Sequence, residues 1–175
     1  QLLSYSLHEK LVSALSVNEG KWSLNERHLD EPRYYNHART FNPSDSSFYF
    51  WGGYGFYQYR NNLYRLKVGM KQVEEVTYTP AISPRYSSAA TVVGDELYIF
   101  GGRGNRQGKQ EFNAHFYYEL CAINLKTGKS RSIWRKKQAT DVLLMASTMY
   151  FEPSDSSFYA VSMKGGGSLW KVFMN

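Results

Sequence analysis

The chain has 175 residues, 42% hydrophobic and only 21% charged, a balance that provides for a packed core and excludes a disordered tail. That length suits one globular domain, and no apolar run approaches the roughly 20 residues of a membrane-spanning helix. The net charge is +6, with much of the excess in 103–109 and 135–137; such basic loops admit an anionic partner, though solvated surface is their ordinary role.

A single cysteine, Cys121, excludes an internal disulfide and a CxxC metal site. The chain begins with Gln1, so it starts after processing or inside a longer polypeptide, and its localisation is open. Aromatic residues make up 17% of the chain, which biases it toward strands, because rings pack well on a pleated surface.

In chain order, Lys10 to Leu15 reads as a strand, followed by a turn at Asn18-Glu19-Gly20 and a second strand from Lys21 to Leu24 that carries Trp22. A fuller unit comes next. Its first strand is Ala38 to Phe41, its turn Pro43 to Ser47, and its second strand Phe48 to Trp51, apolar on both sides and therefore covered on both faces. Gly52-Gly53 ends that strand, allowing a sharp bend or a close backbone approach. After the loop 54–61 come a third strand, Asn62 to Leu66, and a fourth, Val73 to Val76.

The same order returns in Ala89 to Val93, Leu97 to Phe100 with Gly101-Gly102, a longer basic loop, Glu119 to Ile123 and Ser130 to Trp134. It returns again in Phe158 to Val161 and Ser168 to Val172, with Ser162-Met163 in place of the double glycine. Phe41 to Tyr49 matches Phe151 to Tyr159 at eight of nine positions, 110 residues apart, which is two units of about 55. No stretch has a helical period with start and stop signals, so four short strands per unit imply an all-β, radially repeated architecture.

These features resemble the kelch-repeat β-propellers, within a galactose-oxidase-like propeller superfamily. The resemblance rests on Phe50-Trp51-Gly52-Gly53, on Ile99-Phe100-Gly101-Gly102 and on the glycine turn of Leu125 to Lys129. The family's aromatic pair, Tyr then Trp seven residues on, survives only as Leu15 and Trp22. The resemblance implies structural roles for Gly52, Gly53, Gly101, Gly102 and Trp22. The expected fold is one kelch-like propeller segment of three to four four-stranded blades in an incomplete ring: 1–26 in part, 31–78, 84–134, and 138–175 in part. Propellers close with about four to eight blades. Either further chain or self-association would complete the ring, and fold analogy alone inclines the location to outside the cytoplasm.

The histidines, His8, His28, His37 and His115, lack metal-site spacing, and Asp45 and Asp155 sit in turns where a carboxylate caps backbone N–H groups. Cys121 lies in a strand pattern with no histidine near in sequence, unlike the copper site of galactose-oxidase-type enzymes. No nucleophile elbow, phosphate loop or HExxH occurs, so no catalytic residue, metal or cofactor is assigned. The loop 54–61 offers Tyr54, Phe56, Tyr57 and Tyr59, and the equivalent loop 103–116 offers Arg103, Arg106 and Lys109. Both leave equivalent strands and should share a rim, where rings and cations would hold a protein or glycan partner. Nucleic acid is disfavoured because the basic residues follow no single recognition element. The expected function is a recognition or scaffold module acting through these loops. The alternative is part of a carbohydrate-acting propeller enzyme whose active site lies largely outside this segment.

Overall fold

Short strands form wherever apolar residues alternate or run together between turn-forming clusters, and among the described residues every regular element is a β-strand. The computed structural model describes residues 2–6, 11–26, 34–68, 70, 73–137, 142–164 and 166–174. His8, Lys10, His28 and the unit starts expected at 31 and 138 lie outside them.

The N-terminal strands β1 (Leu2–Ser6), β2 (Leu11–Ser16) and β3 (Lys21–Glu26) make an antiparallel sheet in chain order. Leu15 faces Trp22 across the β2–β3 ladder, and the Trp22 side chain is 52% exposed. The next unit contains β4 (Ala38–Asn42), β5 (Ser47–Trp51), the small hairpin β6 (Tyr54–Gly55) and β7 (Gln58–Tyr59), then β8 (Leu63–Lys67) and β9 (Glu74–Val76). Its sheet runs β4-β5-β8-β9, the expected four strands in the expected order.

The third unit opens with β10 (Arg85–Tyr86) and continues through β11 (Ala89–Val93), β12 (Glu96–Phe100), β13 (Arg103–Gly104), β14 (His115–Phe116), β15 (Glu119–Asn124) and β16 (Ser130–Arg135). The last comprises β17 (Met145–Glu152), β18 (Ser157–Ser162) and β19 (Ser168–Phe173). Four strands, β11-β12-β15-β16, again form a blade, and β11 joins β17 by a parallel bridge between Ala90 and Thr148. The duplicated turn has one register in both copies: Phe41 faces Phe48 as Phe151 faces Phe158. Asp45 accepts the Ser47 N–H at 3.1 Å, as its place in the turn implies.

The second strand β12 is covered on both faces because it lies between two units. Leu97 and Ile99 of β12 join Tyr49, Trp51 and Leu63 in one core, while Tyr98 and Phe100 on the opposite face join Met145, Phe158 and Val172 in another. Each such fully buried side chain contributes on the order of 1.5–3 kcal/mol. The strands β4, β11 and β17 come together as the inner strands of their units, with Arg39 Nε donating to Ser147 Oγ at 2.9 Å. A relay of backbone hydrogen bonds ties the entries of successive units: Ser87 N–H donates to Asn36 O at 2.7 Å, and Met145 N–H to Ser87 O at 2.8 Å. The result is an all-β, incomplete propeller.

Candidate functional site

The double glycines place the loops. Gly53 N–H donates to Arg85 O at 2.9 Å and Gly102 N–H donates to Leu143 O at 3.0 Å, so each second strand is tied to the start of the following unit. Space there is closed to a side chain. A Cβ on Gly52 would stand 2.6 Å from Arg85 O, and one on Gly102, whose φ is +99°, would stand 2.3 Å from Ser88 Oγ. At Gly52 and Gly101 the close approach is to the following unit, at Arg85 and Met145, whereas a Cβ on Gly53 or Gly102 would meet residues of its own unit, Tyr35 or Ser88.

Beyond Gly53 the chain forms the hairpin β6–β7, whose two turn residues are Phe56 and Tyr57, at φ 51° and 60°. A two-residue hairpin turn with both centres at positive φ is normally Asn-Gly, because side chains with a bulky Cβ substituent are strained there. Phe56 and Tyr57 are nevertheless 64% and 77% exposed. Strain and exposure coincide at one tip.

The loops 54–61 and 103–116 meet directly. Gln58 bridges Lys109, Tyr59 N–H donates to Gly108 O at 2.7 Å, Gln110 N–H donates to Tyr57 O at 3.0 Å, and the Tyr54 hydroxyl donates to the Gln110 side-chain oxygen. Around this seam the expected site residues fall into three hollows. Tyr54, Tyr59 and Arg103 line one of about 460 Å³, where Tyr59 stacks on Tyr86 at 5.9 Å and 7°. Burial pushes the Tyr59 phenol up, against the opposing charge of Arg103. Phe56 and Tyr57 share a second hollow of about 520 Å³ with Lys109. Arg106 lies apart from these rings, in a third hollow of about 560 Å³ beside Tyr118, Lys136 and Lys137. The structure therefore brings Arg103 and Lys109 to the rings but leaves Arg106 with different neighbours.

Under the third hollow lies a network that no sequence motif announces. Arg85 is 0% exposed, and its Nη2 donates to Glu119 Oε1 at 2.6 Å. Its Nε donates to Ser83 O at 3.0 Å, and its guanidinium lies 3.7 Å from the centre of the Tyr117 ring. Arg135 donates to the other Glu119 oxygen, and Cys121 Sγ donates to Glu119 Oε1 at 3.0 Å. Burial alone would raise the Glu119 carboxyl; Arg85, Cys121 and Arg135 outweigh it and hold the pKa at about 2. The same burial, with Glu119 beside it, pushes the Cys121 thiol up to about 12, which makes it an inert packing group. Among the described residues no three His, Cys, Asp or Glu side chains converge as a metal site.

The trace of this network in the sequence is faint. Glu119 is a charged residue opening the otherwise apolar Leu120-Cys121-Ala122-Ile123, and Arg85 lies in the connection before β11.

Compared with known proteins, residues 5–151 match the family model described as the KLHDC2/KLHL20/DRC7 Kelch-repeats domain. No curated protein matches the chain.

Proposed function

The chain belongs to the Kelch-repeat family, and from that membership we propose a recognition module that docks a partner protein on the surface shared by 54–61 and 103–116. Kelch-repeat domains generally mediate protein interactions, which selects protein over glycan; the carbohydrate-enzyme alternative gains nothing from the match. One observation carries the choice of surface, namely the hairpin tip. Its aromatic residues occupy backbone conformations that cost about 1–3 kcal/mol each, and packing inside the chain does not explain them because both are exposed.

Such a tip suits an anchor. Rings held on a two-stranded ladder bury large area on a partner while losing little rotamer freedom. Tyr54 and Tyr59, at the base of the hairpin, pack with each other and with Tyr86, and the Arg103 guanidinium lies over the Phe116 ring at 5.6 Å.

The test is a binding titration with a captured partner, comparing the chain with Phe56→Ala and Tyr57→Ala. Affinity should fall by about 1–3 kcal/mol per anchor with an unchanged melting temperature. A lowered melting temperature with unchanged affinity would assign the rings to the fold.

A further inference from the structure

Arg106 and the third hollow remain outside the hairpin surface. The chain crosses from one hollow to the next between Ala114, beside Tyr54 and Tyr59, and His115 at the start of β14. The third hollow has an unusual charge inventory. Arg106, Arg135, Lys136 and Lys137 line it, and its one carboxylate, Glu119, has both oxygens engaged, with Arg85 on one and Arg135 on the other. Glu119 is shared by Arg85 and Arg135, so Arg106, Lys136 and Lys137 remain as cations without a paired carboxylate among the described residues.

The hollow is also apolar in part. Phe116 and Tyr118 line it, and Lys136 Nζ stands 5.8 Å from the Tyr118 ring centre and 5.8 Å from that of Trp134. Tyr117, in its wall, is 5% exposed and its hydroxyl has no hydrogen-bond partner among the described groups. A buried hydroxyl left unpaired is uncommon and calls for an acceptor. Burial, and after it the charges of Arg85, Arg106 and Arg135, hold the His115 imidazole below its usual value, as expected of a cationic enclosure.

We propose that this cleft is a second subsite that takes an acidic, extended segment of a partner protein. Its carboxylates would lie between Arg106 and Lys136-Lys137, with an apolar side chain against Phe116 and Tyr118. This rests on the reading of the chain as a protein-interaction module. The cations surround one confined hollow, whereas a nucleic acid is held by charges spaced along a phosphate track. Arg135 is already held by Glu119 and fixes one wall, leaving Arg106, Lys136 and Lys137 to meet the ligand.

The probe is a fluorescein-labelled glutamate-rich peptide with one central phenylalanine, followed by anisotropy with the whole chain. Saturable binding should weaken by about tenfold or more on Lys136→Glu with Lys137→Glu, and comparably on Arg106→Glu. Lys21→Glu with Lys67→Glu removes the same net charge at exposed positions elsewhere and should change affinity by no more than about twofold. Lys136→Gln with Lys137→Gln provides a milder pair should the reversal disturb folding. Equal weakening by the remote pair, no saturable binding, or tighter binding of a single-stranded oligonucleotide at the same residues would overturn the proposal. The hairpin variants separate the two readings. If they lose the natural partner while the cleft variants keep it, the subsite fails and the rim stands. If they keep it while the cleft variants lose it, the rim fails and the subsite stands.

Discussion

Glu119→Gln is the most informative single substitution. Glutamine preserves the shape and still accepts at one oxygen, but it removes the one counter-charge that Arg85 has among the described residues, and Arg85 is a guanidinium with no exposed surface. Breaking a buried pair by removing one partner costs about 3–5 kcal/mol, since the other charge stays desolvated. Linkage gives a similar magnitude: Glu119 is held at about 2 against an ordinary 4.5, which at about 1.4 kcal/mol per tenfold corresponds to about 3 kcal/mol. Because the folded value is the lower one, this stability is complete above pH 4.5 and is lost as pH falls toward 2. Urea unfolding across that range is the assay. The wild-type chain should lose about 3 kcal/mol on acidification, whereas Glu119→Gln should begin that much weaker at neutral pH and lose less. Arg85→Met with Glu119→Leu should recover much of the deficit, because an apolar replacement leaves no orphaned charge. A cost below about 1 kcal/mol for Glu119→Gln at neutral pH would refute the argument.

Backbone geometry yields two more expected outcomes. Replacing Phe56-Tyr57 by Asn-Gly should raise stability by about 1 kcal/mol or more, through relief of the turn, while abolishing partner binding; a lower melting temperature would show that the tip is not strained. Gly102→Ala should destabilise the chain by at least about 2 kcal/mol in thermal unfolding, since its Cβ meets Ser88 Oγ at 2.3 Å at a φ of +99°, and near-neutrality would contradict the described contact.

The strand order is legible in the sequence because each blade is specified locally. Phe48 to Trp51 and Leu97 to Phe100 are apolar on both sides, and the turn before Phe48 recurs before Phe158 with the same pairing. Polar contacts between segments far apart in sequence leave no such trace. Arg85 and Glu119 are 34 residues apart in one unit and meet only once that unit has folded. The pairing of Gln58 with Lys109 likewise depends on how far two loops extend, which neither loop encodes alone. Phe56-Tyr57 hides its turn because its composition is that of a strand, while its conformation is that of an Asn-Gly turn. Proximity in sequence groups Arg106 with Arg103, yet the chain turns between them and gives each a different hollow.

The relay from Met145 through Ser87 to Asn36 has a mechanical consequence. Ser87 donates its N–H toward one unit and accepts at its carbonyl from the next, so a single residue ties three successive units together. Gly53 and Gly102 act in the same sense, each reaching forward along the chain to hold the start of the next unit. Tension applied at the C-terminal side would draw Met145 off Ser87 and Leu143 off Gly102 together, loosening the neighbour before its own ladder is strained. Blades joined in this manner are coupled to their nearest neighbours, so the loss of one junction weakens the unit beside it.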